Sequence, residues 1–574
     1  MNQTETQHPA LKSWFPWFAL LLVWIMMIVV INPQGEFMVN DDWAYVKCLE
    51  TFRSTGTIMN TGWGGPRGIQ VASGGPSLLV HILVGDLFCQ VMGFSLTNLR
   101  IAVLTMGILG SFGLLLLLSL AGKSPWVALL GTLTVVCNPL FLTECFTYMS
   151  DITFASLAIF ALLFLYLGVK KSSTAWVIAG LILVLGSILT RQIGVVILLA
   201  FLVTCWLHPL GLGLGRRKML LLGLVLVLLP WLSYETLLSL KGSTPLTHHQ
   251  LIYDLLNTPK EKGFLGYIIY IFSNLFLFAL AYVGLFVTPL LIGRVLFYLR
   301  RRYFQYILIV FAIFVILFEL AIVTDLIHPP IIFPRNTIHN FGIGPILLKD
   351  TYILKIPRTP VISRPVYYLI VSGAVLALIV ILTLFLDYVR KWFQAGFPPE
   401  AQENSFLVSL VLLASLLYVG IITLTNFHDR YLIPMLIFLV IFLVLDYSTL
   451  LQGTNAFWKI TPGFVMIICL GIWSTCNIHD FMEMKRSLKK SHDYALQELR
   501  VNPCSIDGGF EFNGYHCYQD DFQPHQGLSW WWVSREDYLI TLGPLPGYRV
   551  IRKFPFQRYC NPPGAVYVMQ PLTR

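Results

Sequence analysis

Four places in this 574-residue chain combine residue types that can move a proton or hold a phosphate. The first is Phe37-Met-Val-Asn-Asp-Asp-Trp-Ala-Tyr45, where Asp41 and Asp42 stand side by side. A carboxylate there suits deprotonation of an acceptor hydroxyl or amine. The second is Glu144 and Asp151, which flank Thr147-Tyr148-Met149-Ser150 ahead of an apolar stretch. The third is Arg191 in Leu189-Thr-Arg-Gln-Ile193, a charge between two apolar runs that must be paired or reach water. The fourth is Asn426-Phe-His-Asp-Arg-Tyr-Leu-Ile-Pro434, which carries His428 and Arg430. Basic side chains of this kind suit a phosphate group. Plainer readings stand beside each: solvated loop acids, a helix cap at Asp151, an interfacial anchor at Arg430, and a lone loop histidine with no role.

The elements that hold these residues are membrane helices. Of the chain, 56% is hydrophobic and 12% charged, about half the charge of an average soluble protein. Apolar runs of about 18 to 25 residues recur, each long enough to cross hydrocarbon. Spans are expected at 14–32, 97–120, 125–142, 152–169, 174–190, 192–207, 219–239, 266–292, 304–326, 366–388, 406–425, 431–449 and 459–477, about thirteen in all. The first run is expected to be a retained span, not a cleaved signal. Splitting 174–207 at residues 190–192 places Lys170, Lys171, Arg216–Lys218, Arg294, Arg300–Arg302, Arg390 and Lys391 on one side. The excess of basic residues makes that side cytoplasmic, together with the N-terminus. The net charge of +10 therefore reads as topology, and no nucleic-acid partner is expected.

The same parity puts the first loop, 33–96, and the segments 241–262, 327–365 and 479–574 on the outer face, where chemistry usually resides. Residues 1–478 are expected to form a transmembrane domain and 479–574 a small extracytoplasmic α+β domain. The latter holds 11 Lys or Arg and 10 Asp or Glu, a clear break from the apolar body. Alternating stretches at 538–541 and 547–551, with Gly and Pro between them, suggest short strands. Two of Cys504, Cys517 and Cys560 are expected to pair in an oxidising compartment, with the choice open. The runs at 506–514 and 530–532 suit either sugar stacking or packing of a small core, and packing is favoured.

Asp41-Asp42-Trp43-Ala44-Tyr45 after a first span resembles the first-loop motif of GT-C superfamily glycosyltransferases, which include the protein O-mannosyltransferases and the aminoarabinose transferases. The stretch 144–160 is similar to that group's second acidic motif. Leu-Thr-Arg-Gln at 189–192 and Arg-Tyr-Leu-Ile-Pro at 430–434 resemble two later elements. The motifs occur in order across residues 14–450. The resemblance implies a GT-C-like helical fold, a sugar donor carried on polyprenyl phosphate, and inverting transfer outside the membrane to a lipid, glycan or protein acceptor. It implies Asp41 as general base with Asp42 second, and Asp151 orienting the acceptor or stabilising the sugar ring. Arg191, Arg430 and His428 would bind the departing phosphate, and Glu144 and Tyr45 would serve the acceptor or the framework. Asp42 replaces the Glu common in aminoarabinose transferases, so the resemblance does not fix the donor sugar.

A transporter or flippase of a lipid-linked saccharide is the alternative, and a non-catalytic scaffold a third class. Few ionisable residues within the spans, with Glu319, Asp325 and Arg191 as the candidates, favour the enzyme. Some members of the superfamily need a divalent ion. No set of His and carboxylate residues here has ligand spacing, and no required metal is expected. Membrane lipids are expected partners, and a bacterial inner membrane is the expected location.

Overall fold

The computed structural model describes residues 14–56, 78–122, 124–208, 216–240, 276–299, 337–339, 342–345, 349–357, 364–395, 402–424, 428–447, 456–519 and 535–572, with short pieces and single residues between them. The expected span at 304–326 lies outside the described residues, as do Glu319, Asp325, Trp530 and Trp531.

Helix α1 (Phe15–Ile31) begins with a proline in its first turn, where the missing N–H costs nothing. The segment after α1 contains α2 (Asp42–Thr55), closed at Gly56 with φ +69°, and α3 (Leu79–Met92). Helix α4 (Leu96–Ala121) is capped by Ser95, whose hydroxyl accepts the Asn98 N–H at 3.1 Å. The expected span over 125–142 is not a straight helix. It is broken by 66° into α5 (Pro125–Val136) and α6 (Pro139–Cys145). Pro139 cannot continue the hydrogen-bond ladder, and Asn138 caps the second limb by accepting the Leu140 N–H at 2.9 Å.

Next come α7 (Ser150–Lys170), α8 (Thr174–Ile188) and α9 (Val195–Leu207), the last two divided at the expected place by a 3₁₀ turn over Gln192–Gly194. After them follow α10 (Arg216–Gly223), α11 (Leu229–Leu240), α12 (Leu277–Leu299), α13 (Arg364–Ala395), α14 (Gln402–Thr423), α15 (Ile433–Tyr447) and α16 (Ala456–Asp493). A π-helical stretch, Leu224–Leu228, joins α10 to α11.

Among the described residues, six helices are long and apolar enough to cross a bilayer: Leu96–Ala121, Ser150–Lys170, Arg217–Leu237, Ser372–Arg390, Asn404–Thr423 and Lys459–Glu498. The bent α5–α6 pair makes a seventh if it is one span, and shorter apolar helices stand beside them. The chain is an integral membrane protein, mainly helical, with small sheets concentrated toward its C-terminus.

In lipid, helices associate by close approach and not by expulsion of water. Helices α4 and α7 show how. A Cβ on Gly110 would stand 2.4 Å from Ser156 Oγ, and one on Gly113 would stand 2.9 Å from the Phe160 ring, so the two backbones meet across glycine.

Two short antiparallel pairs come first, β1 (Trp63–Gly64) with β2 (Gln70–Val71) and β3 (Ile338–His339) with β4 (Gly342–Ile343), and after them α16 leads to β5 (Ile506–Asp507), α17 (Phe510–Cys517), β6 (Tyr538–Thr541), β7 (Tyr548–Phe556) and β8 (Gly564–Pro571). The sheet order is β5-β6-β8-β7, parallel at the first pair and antiparallel at the others. Both expected strand regions are strands. Edge strand β7 is bulged between Val550 and Arg552 and carries exposed Arg552 and Lys553, which discourage pairing with a second chain. Cys504 pairs with Cys517, and Cys560 is a free, exposed thiol.

Candidate active site

Trp43 fixes the first acidic motif against the C-terminal region. Its fully buried ring lies 5.9 Å from Phe510, 5.5 Å from Tyr518 and 5.3 Å from Trp532, and a Cβ on Gly514 would stand 2.6 Å from it. Trp532 thus packs a core, the favoured reading for that aromatic run. Tyr515 adds a hydroxyl donated to Glu50 at 2.8 Å, and Glu511 accepts the Asn40 N–H at 3.0 Å and a Lys485 ammonium proton at 2.5 Å.

These contacts hold Asp41 at the N-terminal cap of α2. Its Oδ2 accepts from Arg430 Nη2 at 2.8 Å, across 389 residues of sequence. The Asn40 side-chain amide bridges the pair, oriented by the network: its nitrogen donates to Asp41 Oδ1 at 3.3 Å and its oxygen accepts from Arg430 Nη1. Arg430 also faces Asp151, with Nε 3.8 Å from Oδ2. Asp151, in the first turn of α7, is bound through Oδ1 to Arg191 Nη1 at 2.5 Å. The result is a buried chain of alternating charge, Asp41–Arg430–Asp151–Arg191. Both guanidiniums lie over the Tyr431 ring, at 4.7 Å for Arg191 and 5.3 Å for Arg430.

Pairing keeps these charges tolerable at low dielectric. The pairing is incomplete at one point. Among the described residues, Arg430 Nε and Asp151 Oδ2 have no hydrogen-bond partner, and 3.8 Å is beyond bonding reach. Burial pushes the Asp41 carboxyl above its ordinary value, and the Arg430 charge and hydrogen bond pull the other way.

Asp42 is placed differently. Both its oxygens accept backbone N–H groups, from Val39 and from Tyr148, each at 3.1 Å. It ties the first acidic loop to the second. Burial pushes its carboxyl up to about 7 against those bonds and the nearby Arg100 charge.

Glu144 is buried on α6, with Oε2 3.4 Å from the Thr147 hydroxyl, within electrostatic range of Arg430 and Asp151. Tyr45 is buried one turn into α2 beside His81, and burial raises its phenol, so it stays neutral. His428 is exposed; its ring meets the edge of Tyr431 at 5.5 Å and its carbonyl accepts the Tyr431 N–H at 2.9 Å. Of the eight residues singled out from sequence, Asp41, Asp151, Arg191, Arg430 and Glu144 converge. Tyr45 and Asp42 stand beside them, and His428 sits at the margin.

Two supporting residues escaped the sequence reading. Asp429 accepts the N–H groups of Thr337 and Ile338 at 3.0 and 2.8 Å and fixes the turn that presents Arg430. Arg100, buried at the start of α4, donates to the carbonyls of Pro33, Gly35 and Phe37 at 2.6, 3.1 and 2.8 Å, and so shapes the approach to Asp41. Their signal was a charge beside an apolar run, alone at Arg100 and next to Arg430 at Asp429, which sequence cannot distinguish from a solvated end.

A cavity of about 320 Å³ opens beside this chain, walled by Phe37, Asn40, Lys485, His492, Phe512 and Tyr515 among others. It touches the charged chain through Asn40 and does not include Asp41. Among the described residues, no three His, Cys, Asp or Glu side chains are grouped to hold a metal ion.

No protein-family model and no curated protein matches the chain. Solved structures similar to it include ArnT from Cupriavidus metallidurans bound to undecaprenyl phosphate, 14% identical, covering 98% of this chain and 99% of that one, with a TM-score of 0.41. The Archaeoglobus fulgidus oligosaccharyltransferase in its apo form is 12% identical over 85% of this chain and 58% of that one, with a TM-score of 0.42. The archaeal oligosaccharyltransferase AglB from the same organism, in complex with an inhibitory peptide and a dolichol-phosphate, is 12% identical over 91% and 62%, with a TM-score of 0.45. These neighbours are of the GT-C class of membrane glycosyltransferases that the ordered sequence motifs resemble. At this level of likeness none of their residues is carried onto this chain.

Proposed function

We propose that this protein is an inverting glycosyltransferase that takes a sugar from a polyprenyl-phosphate donor and transfers it, outside the membrane, to a lipid, glycan or protein acceptor. The observation that carries this reading is the chain Asp41–Arg430–Asp151–Arg191, a carboxylate base and two cations joined in one buried site.

The acceptor reaches Asp41 from the adjoining cavity, past Asn40. Asp41 takes the proton of its hydroxyl or amine, and the freed lone pair attacks the anomeric carbon. The bond from that carbon to the phosphate oxygen breaks, and the polyprenyl phosphate leaves with both electrons. Arg430 and Arg191 take up the negative charge, where fixed cations in a low-dielectric site stabilise it most. A phosphate oxygen accepting from Arg430 Nε fills the bond that Asp151 leaves open. Phosphate drawn onto Arg430 also loosens its hold on Asp41, so donor binding raises the basicity of Asp41. Asp151 then faces the developing positive charge on the sugar ring. Asp42 acts as a positioning residue, not a second base, since both oxygens are engaged by backbone.

In the same reading, 1–478 is the transmembrane domain with about thirteen spans, and 479–574 is an extracytoplasmic unit. The N-terminus is cytoplasmic, the membrane a bacterial inner membrane, and no metal ion is required.

Purified protein is offered a panel of radiolabelled polyprenyl-phosphate sugars, and wild type is compared with Asp41→Asn. Consumption of one donor by wild type, with a loss of about 10² or more in the variant, is expected for a general base. Equal sugar release by both would move the base elsewhere. A donor bound by both and turned over by neither would favour the flippase.

A further inference from the structure

Partway along α16, residues 476–480 meet the β7–β8 turn at a point the proposed transfer reaction does not use. The Asp480 carboxylate accepts the backbone N–H groups of Tyr559 and Cys560 at 2.5 and 3.0 Å and the Asn561 side-chain amide at 3.2 Å. The His479 ring stacks on Tyr559, with centroids 4.0 Å apart and planes 9° from parallel. Cys476 stands one helical turn before Asp480 and so shares its face of α16. The Cys560 N–H on the Asp480 carboxylate brings Cys560 to that same face, where Cys476 is close enough to raise its thiol. Both are free thiols, Cys560 exposed and Cys476 half-buried, while the nearby Cys504–Cys517 pair is already a disulfide.

We infer that Cys476 and Cys560 are the site of a second disulfide, one that staples the middle of α16 to the turn between β7 and β8. The inference rests on the extracytoplasmic placement of residues 479–574, because only an oxidising face supports the bond.

The oxidant is a protein disulfide of the thioredoxin-like class. The Cys560 thiolate attacks one sulfur of that disulfide, giving a mixed disulfide and releasing the other oxidant sulfur as a thiolate that takes up a proton. The Cys476 thiolate then attacks the Cys560 sulfur and expels the second oxidant sulfur, which is protonated in turn. Two thiols of this chain are oxidised, one disulfide is reduced to a dithiol, and the protons balance. Cys560 is the first nucleophile because it is the exposed partner. Partial desolvation, with Cys476 and Asp480 beside it, pushes its thiol up to about 11, so the unassisted reaction is slow and a catalyst is needed.

The full-length protein is purified without reductant, denatured, alkylated with N-ethylmaleimide, digested unreduced and mapped by mass spectrometry. Two cross-linked peptides are expected, Cys504–Cys517 and Cys476–Cys560, and reduction should release four thiols per chain. Cys504–Cys517 linked while Cys476 and Cys560 both carry the label would overturn the inference and leave the placement intact. All four labelled would overturn the extracytoplasmic placement and the staple with it. Cys560→Ser alters one atom of an exposed side chain and should release two thiols. Release of four from that variant would show that Cys476 pairs elsewhere.

Discussion

Arg430 bonds one carboxylate and faces a second with different nitrogens of one guanidinium, so its shape matters as much as its charge. Lysine offers a single point charge and cannot span both. Arg430→Lys should therefore lower kcat by about 10² and cost about 1–3 kcal/mol of stability, because one buried carboxylate loses its partner. Arg430→Ala strands two buried carboxylates and should cost about 3–5 kcal/mol, seen as a large drop in Tm in detergent. Equal kinetics for Arg430→Lys and wild type would show that only net charge is needed. The two neighbouring aspartates separate by pH. Asp42 is an acid whose folded pKa lies above its unfolded one, so its contribution to stability is whole below pH of about 4 and is lost as pH rises through about 7. Tm should fall between pH 5 and 8, and Asp42→Asn should flatten that slope while lowering Tm at pH 5, because an amide N–H then faces a backbone donor. A slope that survives the substitution would assign it to another group. Residue types were legible in the sequence; partners were not. Asp41, Asp151, Arg191 and Arg430 all stood out as charges at the edges of apolar runs. That one arginine joins two acids depends on four helix ends meeting, and no local pattern encodes that.

The elements show where a hydrophobic run misleads. Residues 125–142 read as one span because hydropathy averages over side chains, whereas the 66° bend at Asn138-Pro139 is set by one missing N–H and one cap. The bend turns α6 away from the α5 axis and sets Glu144 and the 146–149 loop against the first acidic motif. Asn138→Ala removes the cap and should cost about 1 kcal/mol of stability. It should lower transfer more than donor binding, since Tyr148 meets Asp42 and Arg430 is presented separately by the 429–432 turn. Transfer unchanged within error would mean that the bend is carried by proline alone. The α4–α7 contact is a second case. Glycine in an apolar stretch carries no hydropathy signal of its own, yet Gly110 lets Ser156 within bonding distance of the Met106 carbonyl, at 2.7 Å. Gly110→Val should cost about 1–3 kcal/mol by overpacking, read as a lower Tm in detergent, and a Tm unchanged from wild type would show that the two helices can separate freely.

At the scale of the whole molecule, the apolar body and the charged tail were separable by composition alone, and the strands at 538–541 and from 548 followed from alternation. The register of the tail against the body was not legible, because it depends on Trp43 entering an aromatic cluster more than 460 residues further along the chain. That docking builds the cavity beside Asn40, and in the proposed reaction the cavity separates two steps that share one base. A donor sugar can be released to water without any acceptor, while transfer needs the cavity filled. Leu496 lines it and is only half-buried, so a larger side chain there narrows the passage without stranding a polar group. Leu496→Trp should raise KM for the acceptor about tenfold, equivalent to about 1.4 kcal/mol of lost binding, and leave donor hydrolysis unchanged. Both reactions are followed on one labelled donor with and without acceptor. Loss of both would place the cavity on the donor path, and loss of neither would route the acceptor through the membrane side instead of past α16 and the C-terminal sheet.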